Sequence, residues 1–402
     1  MNTEILIIGS GMVGMSLAHQ LKKKSIAEEI TIIEKETDIG KHSSGRNSGV
    51  IHAGIYYKPN SIKANVCIEG SKMLKAYIKD NELKINNCGK IISPQDIELD
   101  SQLDILYDRG KKNGAEISFI NEKELNEKIS CARTASGRAL WSPNTSVVNP
   151  KEILFNLEQD LKNQGVKILK NEKIIKIEKN DRKIYLRKKR EISYKYLFNC
   201  AGAYSLKIAE SFGIAKDYLL IPFKGIYWDI KDKNSFQIKT NLYPVPDINV
   251  PFLGVHFTPT LGSDNTVTIG PTANLAFGLE NYKGTNSIEY LKTLRNISIL
   301  SRQFFMNKNG FRKYVYDQVP LVFEPFMLKS ARKLIPNLKR EHVTISNKVG
   351  IRAQLYDKKN KNLVDDFLCI NDKFSTHILN AISPAFTASF ALANLIIRKS
   401  NL

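Results

Sequence analysis

The chain opens on a pattern that few folds can satisfy. Thr3 to Ile8 reads as a buried apolar strand and runs directly into Gly9-Ser10-Gly11-Met12-Val13-Gly14. A helical segment from Met12 to about Lys24 follows, then a second strand, Ile30 to Ile33, that ends in Glu34. Strand, glycine turn, helix, strand and terminal acid, in that order, form the unit that cradles a dinucleotide. Gly9 permits the tight turn, Gly11 lets the backbone approach a pyrophosphate, and Gly14 lets the helix lie close to the strand. The helix N-terminus offers free N–H groups and a positive dipole end to the phosphates. Glu34, about twenty residues beyond the glycines, is placed to accept hydrogen bonds from a ribose diol, with Lys35 beside it. A glycine triplet alone would be weak, because ligand-free turns use the same letters; the complete order carries the reading.

At 402 residues the chain can bury the cores of about two or three domains. No apolar run reaches the length of a membrane span. A strand that starts at residue 3 leaves no room for a signal or transit peptide, so we expect a cytoplasmic protein. The five cysteines, Cys67, Cys88, Cys131, Cys200 and Cys369, form no C-x-x-C pair and are odd in number. Reduced thiols follow, with no disulfide framework and no zinc site; the six histidines also lack metal spacing, so no metal is expected. A formal charge of +20 suits anionic substrates, acidic lipid surfaces or nucleic acid, yet the lysines are spread along the sequence as compositional drift would leave them. The densest cluster, Arg187 to Arg190, reads as a solvated turn. Aromatic residues do not interleave with basic ones in an RNA-reading pattern, and no nucleic acid is expected.

No internal repeat or low-complexity linker divides the chain, so its domains interleave in sequence. Pro150 to Gln164 has helical periodicity with proline at its start and Gly165 at its close. Strand-like segments follow at 167–169, 173–178 and 183–187, with Asn180-Asp181 as a turn. Tyr196 to Cys200 is a short strand ending in Ala201-Gly202-Ala203, which can lie against a nucleotide or equally form an ordinary strand-to-helix turn. From Pro222 to Pro271 the texture turns β-branched and aromatic, broken by Pro and Gly, as an antiparallel sheet requires, with a hairpin turn at 262–265. Helical segments are expected at 288–305 and 326–334, and a strand at 377–380. Ser383-Pro384 then opens an apolar helix, 385–397, too short to span a bilayer and suited to a core.

A second diagnostic segment runs Ser43-Ser44-Gly45-Arg46-Asn47-Ser48-Gly49-Val50-Ile51-His52-Ala53-Gly54-Ile55-Tyr56-Tyr57. With the opening motif it resembles the FAD-dependent D-amino-acid oxidase superfamily, and within it the L-2-hydroxyglutarate dehydrogenase or oxidase family. Matches to that narrower family continue at Asn87 to Lys90, Tyr243 to Asp247, Pro251 to Pro259, Gly350 to Gln354 and His377 to Ser389, in consistent order along the chain. The resemblance implies an α/β flavoprotein with a Rossmann-like FAD-binding domain and a second, α+β substrate domain built on an antiparallel sheet. The FAD domain would be discontinuous, at 1–85, 145–220 and 345–402, with the substrate domain at 86–144 and 221–344. The activity implied is oxidation of a small 2-hydroxy acid, L-2-hydroxyglutarate to 2-oxoglutarate in the leading case. Oxygen, a quinone or a carrier protein would take the electrons, and the basic chain would touch an anionic membrane face weakly. Rival readings are an amino-acid or N-methyl amino-acid oxidase of the same superfamily, an RNA-binding flavoprotein and an NAD-dependent dehydrogenase.

Site residues follow from the matched motifs. Ser44, Gly45, Ser48 and Gly49, with Arg46 and Asn47 between them, let backbone N–H groups approach the pyrophosphate and flavin. Ala201 and Gly202 flank the nucleotide, and the helix headed by Pro384 and Ala385 directs its dipole toward charge on the flavin. Oxidising an alcohol needs a proton acceptor, and His52 and His256 are the candidates, His52 favoured because its segment should run along the flavin. Arg352 can grip a carboxylate with two parallel hydrogen bonds or serve as a domain-interface ion pair. Tyr243 offers a hydroxyl to the substrate or packs in the sheet, and Lys224 can help hold an anion. His377 is expected to be structural, and His19, His42 and His342 carry no catalytic argument. The chain departs from the family at Arg46, usually His, at Lys224, usually Arg, at Ile382 and Phe386, and along Gly278-Leu279-Glu280-Asn281-Tyr282, where a basic pair is usual. If those basic residues hold the far carboxylate, the substrate differs.

Overall fold

A computed structural model describes residues 1–231, 236–246, 254–262, 266–307 and 310–402. Two large sheets, among the described residues, organise the chain. The first has eight strands, and its parallel centre runs Ser375–Ile378, Glu191–Asn199, Asn2–Ile8, Ile30–Ile33, Lys167–Leu169. Ile5 to Ile8 and Ile30 to Ile33 are buried on both faces, as near-continuous apolar runs in a parallel sheet should be. The helix Met12–Lys23 packs one face of this sheet, and the helices Ile62–Asp80 and Ala385–Lys399 pack with it in one core. Phe390, Leu392 and Ile396 are the buried anchors of the last helix; each contributes about 1.5–3 kcal/mol, more than a surface ion pair. The apolar C-terminal helix is thus a core element, as its sequence implied. Gly70 makes its crossing with the Ile62–Asp80 helix possible, since a Cβ there would lie 2.5 Å from the Cα of Ala388.

The second sheet has ten strands, in the order Asn362–Leu363, Val343–Asp357, Tyr218–Ile230, Val267–Ile269, Phe257–Pro259, Asn241–Pro244, Lys90–Ser93, Arg138–Ser142, Ser118–Asn121, with Asn274–Leu275 paired to Tyr218–Ile230. It is antiparallel except where Asn241–Pro244 lies parallel to Lys90–Ser93. That junction joins segments far apart in sequence, which no local turn signal reports. The strand Val343–Asp357 pairs along its length with Tyr218–Ile230. The expected division at residue 345 therefore cuts through a strand of the second sheet. Residues 263–265 of the expected hairpin turn and parts of both proline motifs lie outside the described residues. Arg187 to Arg190 do form an exposed turn, but not a merely solvated one. Arg190 and Lys188 reach the buried carboxylate of Glu172 at 3.2 and 3.8 Å.

Candidate active site

A cavity of about 1080 Å³ runs between the two sheets from the opening glycine turn to His256, just before the strand Phe257–Pro259, and the strand that carries Arg352. At its nucleotide end the expected cradle has formed. Gly9 has φ +103° and its Cβ would fall 2.6 Å from the Cys200 carbonyl oxygen; a Cβ on Gly14 would fall 2.1 Å from the Gly9 carbonyl oxygen. Glu34 accepts hydrogen bonds from the backbone N–H and the hydroxyl of Ser10, at 3.0 and 2.9 Å, and from the Glu36 N–H at 3.0 Å. Its carboxylate is thereby fixed at the cavity wall. The helix Met12–Lys23 begins at Gly11 with no side chain capping it from the Ncap position; Ser44 Oγ instead accepts from the Met12 N–H at 3.0 Å. Glycines and a helix start with spare N–H groups suit a diphosphate.

The structure brings most of the expected cofactor residues to this cavity. Gly9, Gly11, Met12 and Val13 line it at the first turn, Glu34 and Lys35 at the second strand, and Ser44, Arg46, Asn47 and Ser48 in the next segment. Ala201 and Gly202 line it beside the first turn, and Pro384 and Ala385 at the last helix. Gly14, Gly45 and Gly49 do not line it. They are packed against backbone, where a Cβ would lie 2.1 Å from a carbonyl oxygen in each case.

The opposite end holds the redox-site candidates. His52, Tyr56, Tyr243, His256 and Arg352 all line the cavity. The His52 backbone is fixed by the Thr387 hydroxyl, which accepts from the His52 N–H at 3.1 Å and donates to the Val50 carbonyl at 3.2 Å. The C-terminal helix thus holds the histidine in place. Among the described residues, His52 Nδ1 and the Tyr56 hydroxyl are buried without a hydrogen-bond partner, a costly state that a bound polar ligand relieves. His256 stacks on Tyr243, ring centroids 3.9 Å apart, and donates from Nδ1 to the Gly254 carbonyl at 2.8 Å. That hydrogen bond selects the neutral tautomer whose Nε2 carries a lone pair. Burial pushes the His256 pKa down to about 3, with Lys90 acting in the same direction; burial, then Lys90 and His256, holds His52 well below its usual value. Both rings are neutral and able to accept a proton. Arg352 donates to Gln354 at 3.0 Å, and burial brings its pKa down to about 10, still cationic at neutral pH.

Lys90, at the end of the Asn87 to Lys90 motif, takes a place that the motif alone does not reveal. It is 1 % exposed, yet its ammonium faces rings instead of carboxylates: 4.0 Å from the Tyr243 centroid and 5.2 Å from that of Tyr56. Burial lowers its pKa to about 7. A basic residue opening a strand with three apolar or small successors was the available signal. Tyr56 shares its motif with His52, and its place beside the histidine is likewise visible only in the fold.

Lys224 does not reach the cavity. Along Tyr218–Ile230 the side chains alternate, and Phe223 and Tyr227 line the cavity with Gly225 between them, which turns Lys224 to the other face. Its amine donates to Asn281 at 2.8 Å. Three of the departures, Arg46, Lys224 and the 278–282 loop, pack together: the Arg46 guanidinium covers the Tyr282 ring at 4.1 Å, and Lys224 meets Asn281. Glu280 accepts from Lys35 and from the Tyr204 hydroxyl, both at 2.6 Å, and His42 bridges Tyr282 and Glu36 at 2.9 and 3.0 Å. Glu36, His42 and Glu280 offer three metal-type ligand atoms within 4.8 Å of one another, but the Lys35 ammonium already joins the two carboxylates. Ile382 and Phe386 line the cavity.

A nucleotide cradle that opens into a cavity walled by a second, mostly antiparallel sheet defines a dinucleotide-dependent oxidoreductase of two units. The family model DAO, described as FAD dependent oxidoreductase, matches residues 4–398, and the chain belongs to that family. The mitochondrial L-2-hydroxyglutarate dehydrogenase of Mus musculus is 34% identical over 418 residues, which take in 98% of this chain and 87% of that protein. The L-2-hydroxyglutarate dehydrogenase of Indibacter alkaliphilus is 34% identical over 408 residues, 98% of each chain. Among solved structures, the L-alpha-glycerophosphate oxidase from Mycoplasma pneumoniae with FAD bound superposes with a TM-score of 0.77 at 20% identity, over 99% of this chain and 94% of that one. That likeness shows a shared fold. The cradle, the cavity volume and the unpartnered polar atoms at its far end all fit FAD together with a small polar substrate.

Proposed function

We propose that the chain oxidises L-2-hydroxyglutarate to 2-oxoglutarate with FAD. The observation that carries the reading is the cluster of His52, His256 and Arg352 on one cavity whose other end is the dinucleotide cradle. The residues around the cradle would hold FAD, which when bound supplies the two-electron acceptor for hydride from the substrate's α-carbon. Arg352 grips the α-carboxylate. His52, with its backbone fixed and its ring unpartnered, takes the hydroxyl proton as the C–H bond breaks. His256 and Tyr243 form a stacked wall that orients the substrate, and the Tyr56 hydroxyl donates to it. An entering dianion raises the pKa of both histidines above their low resting values, so basicity rises as substrate binds. Lys90, which faces rings and no carboxylate, gains an anionic partner in the same event.

The electrons pass on to oxygen, a quinone or a carrier protein. The reading places the enzyme in the cytoplasm, touching an anionic membrane face; the +20 charge supports that contact, and no helix among the described residues is long and apolar enough to cross a bilayer. Turnover of the purified flavoprotein with an artificial electron acceptor tests the activity. L-2-hydroxyglutarate should be consumed and 2-oxoglutarate formed in equal amounts. Turnover of an amino acid or N-methyl amino acid, with L-2-hydroxyglutarate inert, would replace this substrate with an amine.

A further inference from the structure

The proposed substrate carries two carboxylates, and Arg352 meets one of them. The cations that depart from the family pattern do not meet the other: Lys224 is turned to Asn281, and the Arg46 guanidinium covers the Tyr282 ring. At the Arg352 end the cavity has a further cation, Lys63, which lines it with only 6% of the residue exposed. Its backbone is fixed where the helix Ile62–Asp80 begins. The Asp366 carboxylate accepts from the N–H groups of Ile62, Lys63 and Phe367 at 2.8, 3.0 and 2.8 Å, and Ser61 Oγ accepts from the Ala64 N–H at 3.1 Å. Cys67, one turn further along the same helix face, has its Sγ 3.8 Å from the His52 carbonyl oxygen. Lys63 thus leaves the helix about one turn from the segment that carries the proposed base. Of the other cations on this part of the wall, Lys58 is exposed and Arg109 points to the Tyr56 carbonyl at 3.5 Å.

We propose that Lys63 binds the far carboxylate of the substrate while Arg352 holds the one beside the hydroxyl. A buried ammonium is stable only with an anion close by, and the resting partner of Lys63 is a loose one. Asp365 lies at 3.4 Å, longer than the about 2.7–2.9 Å of a good charge-assisted hydrogen bond, and its side chain is 66% exposed against 8% for the lysine. Asp366 is already engaged by three N–H groups. Burial brings the Lys63 pKa down to about 8; Asp365 opposes that shift and Arg352 adds to it, so the two cations feel each other's charge. Asp365 acts on Arg352 in the same way. Two buried cations that draw on one exposed acid suit a dianion better than a monocarboxylate. Substrate entry turns Asp365 out to water and gives each cation a carboxylate of its own. The inference rests on the 2-hydroxy acid reading and adds to it the residue that selects a dicarboxylate.

The full-length, flavin-loaded protein tests it with L-2-hydroxyglutarate and with L-2-hydroxyvalerate, which has a methyl group in place of the far carboxylate. Glutarate and valerate serve as unreactive ligands, followed by the shift each causes in the flavin band. Lys63→Met and Lys63→Gln should each raise KM for L-2-hydroxyglutarate about 10²-fold, change kcat less than about threefold and leave kcat/KM for L-2-hydroxyvalerate unaltered, with the flavin spectrum of wild type. Lys63→Arg should recover most of the loss, and Asp365→Asn should not raise KM. Equal losses on both hydroxy acids in the Lys63 variants, or a KM for Asp365→Asn as high as theirs, would make the pair a structural bridge and overturn the subsite. Failure of the substrate reading looks different, because wild type then leaves L-2-hydroxyglutarate unoxidised. Glutarate still decides the subsite in that case. Tighter binding of glutarate than of valerate to wild type, lost in Lys63→Met, supports it; equal binding of the two, or a preference that survives in Lys63→Met, overturns it.

Discussion

His256 is pinned through Nδ1 to a backbone carbonyl and stacked on Tyr243, whereas the His52 ring has no such anchor among the described residues. That difference separates their roles and predicts separable kinetics. His52→Asn should lower kcat by about 10²–10⁴-fold with the flavin retained, the usual worth of a general base, while His256→Asn should act mainly on KM. Arg352→Met should raise KM about 10²-fold for carboxylate substrates, read by steady-state titration. Lys90 opposes protonation of both histidines. Lys90→Met should therefore shift the acid limb of the kcat/KM profile to higher pH; an unchanged limb would reduce Lys90 to packing. A further pH effect concerns stability. Burial lowers His377 to about 4 and His256 to about 3 in the folded chain, against about 6.5 when unfolded. As pH falls below about 6.5 the unfolded chain takes up protons that the native state refuses, so stability is full above that pH and falls until about pH 3–4. Each unit of depression is worth about 1.4 kcal/mol. Urea unfolding midpoints measured from pH 7 to pH 4 should fall accordingly, and less steeply in His377→Asn, which loses the bonds to Asn199 and Ser375 but also the titration.

At the scale of elements, the opening strand, glycine turn and helix were legible because every one of their constraints is local. Gly14 shows how tightly: a methyl group there meets the Gly9 carbonyl oxygen, so Gly14→Val should push the helix off the strand and yield protein with little bound flavin, measured as the absorbance ratio of flavin to protein. The helix Pro150–Asn163 and the C-terminal helix were legible for the same reason, with a proline start and an apolar period written within a few residues of each other. The strand Val343–Asp357 was not. Its pairing partner lies more than a hundred residues earlier, and its burial alternates only in parts because one stretch lines the cavity and another packs the sheet. The same holds for the parallel junction of Asn241–Pro244 with Lys90–Ser93. Lys224 was misplaced by one step of strand alternation. The motif gave its type and neighbourhood, but which face it took depended on a register that only the folded sheet fixes.

Across the whole molecule, the two ends of the cavity come from segments scattered over the chain: the first turn, the 43–57 segment, the strands bearing Tyr243 and Arg352, His256 at a strand's edge, and the final helix. Sequence motifs named most of these residues separately; only the fold could say that they share one space, that Lys90 lies behind Tyr243 and Tyr56, and that Arg46 and Lys224 both meet the 278–282 loop. Their contacts run to Lys35, Glu36 and Tyr204, around the nucleotide end of the cavity. We therefore expect these three departures to leave the L-2-hydroxyglutarate specificity in place, whereas Ile382 and Phe386 line the cavity itself. The most direct test is anaerobic mixing of the purified protein with single substrates while the visible flavin band is followed. L-2-hydroxyglutarate should bleach the band in one turnover and leave 2-oxoglutarate, with the D-enantiomer and amino acids inert; a band that persists with L-2-hydroxyglutarate, or a protein with no such band, would contradict the account.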